Sequence, residues 1–310
     1  MLQRLAQALF PARFAAADDR SFGLFGQRGL PELLRRRRWR EVEQVLLAAQ
    51  PDELSLLLDE LCLTDRYTLH LRAYLQATDS ELGRLVQGVY DTHRAWEART
   101  SNWAAEVTEA QADGFVHYLL AAHRSLSAEY AAPGLQLEAL ARRIRVEMGL
   151  NELPEAHKTF AAAVSLHPDH VLTYLNYFKA LSPRWLGSRD ELLELITFAE
   201  NPDTRQLLRL VFLVEMFSDL QQEDELTAAT ELRRQHAATL EEALQSPLPP
   251  LSSTMKSIYA HNYWACLCSI LNRDEPRRAA LRQLGTRFTP YPWAYFGAKT
   301  PAQIRALQLG

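Results

Sequence analysis

The stretch that decides the fold class is Leu207–Phe217, which reads LLRLVFLVEMF. Nine of its eleven residues are apolar, so every face of a helix formed here would carry apolar side chains. A second stretch of this kind covers Tyr259–Leu271. Helices that are apolar on all sides are enclosed by neighbouring helices. The two stretches therefore predict layers of helices packed around a core that needs no cofactor for its stability.

The composition of the whole chain also indicates an all-α protein. The 310 residues include 53 leucines but only 16 valines and isoleucines together. β-branched residues favour strands, whereas Leu, Ala, Arg, Glu and Gln favour helices. Apolar residues make up 47% of the chain, which excludes a disordered protein. Because no apolar run reaches the roughly 18 residues of a membrane span, we predict a soluble protein.

The three cysteines, Cys62, Cys266 and Cys268, do not form an even set. Met1–Phe10 has the pattern of an amphipathic helix rather than of a signal peptide, so we expect a reducing, cytoplasmic environment and buried thiols. Cys266 and Cys268 could be half of a metal site, but no second pair completes it. We expect neither a metal nor a cofactor.

One segment has the spacing of a helical repeat. Ala156, Phe160, Ala163 and Pro168 follow the small–large–small–proline pattern of the second helix of a tetratricopeptide repeat. Three prolines are spaced by 35 and 34 residues, namely Pro133, Pro168 and Pro202. The first-helix pattern of that repeat is poor. We therefore predict stacked helical hairpins that form a short, tetratricopeptide-like solenoid.

The clearest break in the helical pattern is Pro247–Pro250, because its prolines cannot continue a helix. It divides the chain into a helical repeat-like domain, 1–246, and a C-terminal helical cap with an aromatic tail, 251–310, packed on the same body. Basic helices are expected within 1–50 of the first domain.

Charge is distributed unevenly along the chain. Residues 1–40 hold nine arginines against three carboxylates, and 251–310 hold eight bases against two acids, whereas the middle of the chain is acidic. Such a distribution suits head-to-tail contact or a charged partner. Neutralisation within the fold explains it equally well.

The most basic run is Arg35–Arg40, which reads RRRRWR and falls in a helix predicted from Pro31 to Ala49. Arginines beside an aromatic residue suit phosphate contact. However, apolar residues line one side of this helix and two glutamates follow the run. Three interpretations stay open: a solvated helical face, a nucleic-acid patch and contact with an acidic protein.

Ser253 and Lys256 match the S-x-x-K pattern of β-lactamase-type nucleophiles. One helical turn would place the lysine amine beside the serine hydroxyl. The pattern is short, and Lys299-Thr300-Pro301 does not supply the K-T-G partner. We expect Ser252 or Ser253 to be a helix N-cap instead, and a hydrolase is kept as an alternative.

Two segments place arginine close to tryptophan near a helix end. The first is Ala95–Thr100, with Trp103 beyond it, and the second is Leu181–Ser188. Guanidinium groups stack on indole rings and bind carboxylates, and such clusters are typical of protein-binding hot spots. The candidate binding residues are Trp96, Arg99, Trp103, Arg184 and Trp185. The alternative is structural, with buried tryptophans and arginines that cap helix ends.

These two segments, with the intervening helix around Phe115-x-x-Tyr118-Leu119, resemble the uncharacterised bacterial family called domain of unknown function 4034. The likeness covers about 80–200. The chain departs from the family pattern at Thr100 and Leu186, both glycine in that pattern, which puts the backbone conformation at both positions in question. The resemblance implies an α-helical, repeat-like domain and brings no activity with it.

The function that these observations favour is non-catalytic binding of a protein or peptide on a helical-repeat surface. In a bacterial setting this suits an adaptor, a regulator or the immunity protein of a secreted toxin. The alternatives are the Ser253/Lys256 hydrolase and nucleic-acid binding through Arg35–Arg40. The oligomeric state and the binding face stay open.

Overall fold

The computed structural model describes residues 19–100, 107–298 and 300–307. The predicted all-α fold is confirmed, because all regular structure in these ranges is helical and the helices pack against each other. The helix expected at Met1–Phe10 lies outside the described residues. The chain divides into two compact units, one formed by 23–194 and the other by 1–22 with 195–310.

The unit 23–194 is built from ten α-helices within the described residues, and an eleventh, α11 (Arg189–Phe198), crosses its boundary. The ten helices are α1 (Leu24–Gln27), α2 (Leu30–Arg35), α3 (Trp39–Leu47), α4 (Pro51–Cys62), α5 (Thr68–Ala77), α6 (Glu81–Arg99), α7 (Glu109–Leu126), α8 (Pro133–Gly149), α9 (Leu153–Leu166) and α10 (Val171–Ala180).

Polar residues and prolines fix where these helices begin. Ser80 caps α6 by accepting from the backbone N–H of Gly83, and Thr108 forms a capping box with Gln111 at the start of α7. Pro51 and Pro133 occupy the first positions of α4 and α8, where a missing N–H costs nothing. The local sequence therefore determines the residue at which each of these four helices begins.

Close approach of α6 and α7 depends on one small residue. A Cβ atom on Gly88 of α6 would lie 2.7 Å from the side chain of Leu126 on α7. Around this contact lies a continuous apolar core to which α1 to α8 all contribute. Near the C-terminal end of α6 the two helices also lie close together, because a Cβ atom on Gly114 of α7 would lie 3.4 Å from the Cβ atom of Ala98.

The segment with repeat spacing forms a tight helical hairpin. Ala156 and Ala163 of α9 are fully buried, and the ring of Phe160 stacks on Tyr177 of α10 with centroids 3.9 Å apart. Ala163 packs with Leu137 and Leu140 of α8, so this small residue allows α9 to approach α8, whereas the ring of Phe160 fills the space between α9 and α10. Membership in the tetratricopeptide class stays a prediction.

The unit 195–310 contains six further helices in its described part: α12 (Pro202–Glu223), α13 (Ala228–Gln235), α14 (Ala237–Gln245), α15 (Met255–Ile270), α16 (Asp274–Leu284) and α17 (Pro301–Ala306). The two stretches that are apolar on all sides lie in α12 and α15, which pack against each other and are buried on most faces. The aromatic tail packs within this unit, since the Trp293 indole donates to Asn262 of α15 at 2.8 Å. The predicted break at Pro247–Pro250 lies inside this unit, and the division at 246–251 stays a prediction.

One prediction about helices is wrong. The helix expected from Pro31 to Ala49 is two helices, because α2 ends at Arg35 and α3 begins at Trp39. Arg37 has a φ of 54°. The backbone N–H of Arg38 donates to the carbonyl oxygen of Leu33, and the backbone N–H of Arg37 donates to that of Leu34. This is the Schellman geometry that ends a helix, with arginine at the position where glycine is usual. The basic run therefore covers a corner between two helices.

Candidate partner-binding site

The structure brings the two predicted tryptophan–arginine segments together. Trp96 lies in the last turn of α6, and Trp185 lies in the turn that follows α10. Their indole rings are 5.2 Å apart between centroids and 82° apart in orientation, an edge-to-face contact. Two stretches distant in sequence thus form one surface.

Two guanidinium groups lie over these rings. Arg99 stacks over Trp185 at 5.2 Å from the ring centroid, and Arg145 of α8 stacks over Trp96 at 4.3 Å. The edge of Phe115 from α7 completes the group, with its centroid 5.0 Å from that of Trp96. We call these five residues, Trp96, Arg99, Phe115, Arg145 and Trp185, the Trp–Arg cluster.

The position of Trp185 depends on a turn folded against the end of α10. The backbone N–H of Trp185 donates to the carbonyl oxygen of Ser182 at 2.8 Å, and that of Leu186 donates to the carbonyl oxygen of Ala180 at 3.3 Å. A Cβ atom at Gly187 would lie 2.5 Å from the backbone oxygen of Leu181. The chain can pass the Leu181 backbone so closely because position 187 lacks a side chain.

Backbone strain lies next to the cluster at Thr100. This residue has φ 64° and ψ −177°, a region that is nearly exclusive to glycine. Strain of this kind costs about 1–3 kcal/mol and persists where surrounding structure enforces it. Leu186, the other position at which the chain departs from the resembled family, is not among the described residues with positive φ.

The cluster is half-buried rather than enclosed. Trp96, Arg99, Arg145 and Trp185 all retain part of their surface, whereas Trp293 in the other unit is 1% exposed and has a hydrogen-bond acceptor for its indole nitrogen. The Nε1 atom of Trp96 is buried and has no hydrogen-bond acceptor among the described residues. A purely structural role accounts for Trp293, whose indole nitrogen has an acceptor, but it does not account for the unpaired indole nitrogen of Trp96.

The predicted site residues divide into three groups. Trp96, Arg99 and Trp185 are brought together. Arg184 precedes Trp185 in the same turn, and its backbone N–H donates to Ser182 Oγ at 3.4 Å. Trp103 lies outside the described residues.

Sequence reasoning missed Arg145 as a site residue, and it placed Phe115 only in the segment of family resemblance. No sequence signal distinguishes Arg145 from the other arginines of α8, which have structural roles. Arg143, for example, binds Glu147 at 2.9 Å. Only the packing of α8 beside α6 distinguishes it.

The Ser253/Lys256 pair does not have the geometry that the hydrolase interpretation requires. The expected N-cap, Ser252 or Ser253, is wrong, because Thr254 caps α15 and accepts from the N–H of Ser257 at 3.4 Å. Ser253 is exposed and precedes the helix that carries Lys256. The single helical turn that would join hydroxyl and amine is therefore not formed.

The basic run Arg35–Arg40 is exposed but partly neutralised. Arg35 and Arg36 both bind Glu32, and Arg38 binds Glu41. The ring of the intervening Trp39 packs edge-on against Tyr74. The indole is thus occupied within the fold, which weakens the combination of arginine and stacking aromatic on which the nucleic-acid interpretation rests.

A second group of polar residues is buried between α4, α8 and α10. Arg142 donates to Glu138 at 2.8 Å and to Asp59 at 2.6 Å. Ser55 donates to Glu138 and lies 3.2 Å from Nε2 of His170. We call these five residues the buried polar cluster.

Although burial opposes charge, the carboxylates of Asp59 and Glu138 raise the pKa of Arg142, which keeps it charged. Burial lowers the pKa of His170 to about 3, so its ring is neutral at pH 7. The Ser55 hydroxyl donates to a carboxylate rather than to His170, and Ser55 and His170 are fully buried. This arrangement joins three helices through buried hydrogen bonds and ion pairs.

The three thiols are buried and none forms a disulfide, as predicted. Burial raises the pKa of Cys268 to about 12. Over the described ranges, no group of three His, Cys, Asp or Glu side chains is placed to hold a metal ion. In the same part of the chain, no helix combines the length and apolar character needed to cross a membrane.

Comparisons with other proteins give no relatives. No family model, no curated protein and no solved structure matches this chain. The likeness to the domain of unknown function 4034 over 80–200 therefore stays a prediction.

Proposed function

We propose that this protein is a non-catalytic interaction protein that binds a partner protein through the Trp–Arg cluster. The observation that carries the proposal is the half-exposed edge-to-face pair of Trp96 and Trp185 with a guanidinium over each ring. Tryptophan and arginine dominate protein-binding hot spots because they combine a large apolar area with directed polar groups. An adaptor, a regulator or an immunity protein would each use such a surface.

The charge of the surface favours an acidic segment of the partner. Arg99, Arg145 and the neighbouring Arg184 contribute positive charge around the rings. The exposed carboxylate nearest in sequence, Glu97, lies 3.4 Å from His93 on the same helix. A guanidinium group that lies over an indole ring has less rotational freedom than one in open solvent, so binding a carboxylate costs it less side-chain entropy.

The preformed shape of the surface supports the same conclusion. Close packing of the end of α6 on α7 and the tight turn before Gly187 hold the two rings in place before any partner arrives. Preorganisation reduces the entropy cost of association.

The test begins with site-specific crosslinking in cells that carry the gene. Trp185 is replaced by the photoreactive p-benzoylphenylalanine, and Trp39, a half-buried tryptophan on α3, is replaced in the same way as the matched control. We expect a crosslinked protein that is specific to position 185, identified by mass spectrometry.

Affinity for that purified protein then decides the proposal. We expect Trp185→Ala and Arg99→Ala each to weaken binding about tenfold or more, and Trp39→Ala to leave it unchanged. Circular dichroism confirms that the variants are folded. Equal affinity of Trp185→Ala and the unsubstituted protein would place the partner on another surface.

A further inference from the structure

A polar pocket lies beside α6, on a different face from the Trp–Arg cluster. It has a volume of about 230 Å³ and is formed by the segment 62–72 together with α6. Tyr90, His93, Arg94 and Glu97 line it from α6, at the spacing that places residues on one helix face. Trp96 points to the other side of α6, toward Phe115 of α7. The pocket therefore adjoins the proposed partner surface but contains none of the five residues of the Trp–Arg cluster.

The charges that line the pocket are balanced and of both signs. Arg72 and Arg94 supply two guanidinium groups, and Asp65 and Glu97 supply two carboxylates. Thr68, in the first position of α5, adds a hydroxyl. A pocket lined in this way matches a small ligand that itself carries one positive and one negative group.

One of the two guanidinium groups is fixed in advance. Arg94 stacks over the ring of Tyr118 at 4.5 Å from its centroid and donates to the hydroxyl of the same tyrosine. Within the described part of the chain, the side chains of Asp65 and Arg72 have no hydrogen bond or ion pair. Glu97 lies 3.4 Å from His93, which also lines the pocket. Of the four charged side chains, Arg94 is therefore held by Tyr118, Glu97 is next to His93, and Asp65 and Arg72 are available to a ligand.

We propose that this pocket binds a free α-amino acid. The guanidinium groups of Arg72 and Arg94 receive its carboxylate, and Asp65 and Glu97 receive its ammonium group. The volume corresponds to about eight water molecules, which suits a molecule of about ten non-hydrogen atoms.

Ligands of a single charge fit this lining less well. A phosphate or a dicarboxylate would meet the carboxylates of Asp65 and Glu97, and a diamine would meet the two arginines. Because the lining carries charges of both signs, it repels ligands of a single charge and attracts a ligand with one charge of each sign.

The experiment measures thermal unfolding of the full chain in the presence of each of the twenty common L-amino acids, at about 10 mM. We expect at least one to raise the midpoint, and isothermal titration calorimetry then gives its dissociation constant. Two derivatives of that amino acid are the matched probes: the N-acetyl form lacks the ammonium charge, and the amide form lacks the carboxylate. Both should bind at least tenfold more weakly.

Substitutions locate the site. Arg72 and Asp65 are exposed, so Arg72→Gln and Asp65→Asn should fold normally, and each should weaken binding at least tenfold. Arg40→Gln, at an exposed arginine on α3 that does not line the pocket, is the control and should bind as the unsubstituted protein does. The proposal is overturned if no amino acid stabilises the protein, if both derivatives bind equally well, or if Arg72→Gln retains full affinity.

Discussion

The indole rings of Trp96 and Trp185 meet edge to face at 5.2 Å between centroids, although the two residues lie in separate segments. An aromatic pair of this geometry contributes about 0.5–1.5 kcal/mol beyond the area that it buries. The contact therefore joins the C-terminal turn of α6 to the turn after α10. The second turn depends on the close approach of Gly187 to the Leu181 backbone. A substitution at Gly187 can therefore shift the Trp–Arg cluster while both tryptophans are kept.

Replacing Gly187 tests this dependence. In Gly187→Ala, the new Cβ would lie 2.5 Å from the backbone oxygen of Leu181, so the turn must move and carry Trp185 with it. We expect the free energy of unfolding to fall by about 1–3 kcal/mol in urea denaturation, with a changed near-ultraviolet circular dichroism spectrum. Gly134→Ala is the control, because nothing lies within 4 Å of the added Cβ. Equal stability of both variants would contradict the crowding at Gly187.

Thr100 gives a second prediction at the same surface. Glycine adopts φ 64° and ψ −177° without the steric cost that threonine bears. We expect Thr100→Gly to raise the free energy of unfolding by about 1 kcal/mol, after allowance for the greater freedom of glycine in the unfolded chain. Thermal and urea unfolding measure the change. The conservative variant Thr100→Ser is the control and should show no gain, since serine keeps a Cβ atom; a gain in both would remove the backbone explanation.

Much of the helical framework could be predicted from sequence because its signals are local. The capping box of Thr108 and Gln111 and the apolar stretch of Leu207–Phe217 act through neighbouring residues. The corner at Arg37 was missed because its left-handed conformation usually selects glycine, and arginine gives no such signal. Sequence reasoning proposed Trp96 and Trp185 as separate candidates, and only packing joins them.

The residues that sequence reasoning missed belong to long-range networks. Arg145 enters the Trp–Arg cluster only because α8 packs beside the end of α6. Ser55 and His170 are polar residues without a motif, and their contact arises from packing of α4 and α10. Spacing along the chain cannot predict such contacts, since they depend on how helices are arranged.

The corner at Arg37 is itself testable. Its φ of 54° places a side chain in the left-handed region, so Arg37→Gly should raise the free energy of unfolding by about 0.5–1 kcal/mol. Arg84→Gly is the matched control, because Arg84 is exposed and follows the first turn of α6, where glycine costs about that amount instead. The two variants remove the same charge, so opposite shifts in urea denaturation isolate the backbone effect. Shifts of the same sign would contradict it.

Asn262 organises the aromatic tail of the unit 195–310. It donates to the backbone oxygens of Ile258 and Arg287, and its Oδ1 accepts from Thr289 and from the Trp293 indole. Asn262→Leu would leave the backbone N–H of Thr289 and the indole N–H of Trp293 buried without an acceptor, which costs about 1–3 kcal/mol for each. We therefore expect a loss of about 3 kcal/mol or more in the free energy of unfolding, accompanied by altered tryptophan fluorescence.

The control for this substitution is Asn176→Leu, where the half-buried side chain makes one hydrogen bond within the described ranges, to the backbone oxygen of Ala141. Its loss should cost about 1 kcal/mol. Similar losses for both variants would show that Asn262 does not have the bridging role described.

The pH dependence of stability should report on the buried His170. Burial lowers its pKa to about 3 in the folded protein, against about 6.5 for an exposed histidine. Between these values the unfolded chain binds a proton that the folded chain does not, so the free energy of unfolding falls as the pH falls. From pH 7 to pH 5 the loss through this one group should be about 2 kcal/mol.

His170→Gln removes the titration, while its amide can still bond to Ser55 and Thr173. Because Glu138 is present in both proteins, the difference between their urea-unfolding curves isolates the histidine. Parallel curves over this range would mean that His170 titrates normally and that the burial of its ring does not govern its charge.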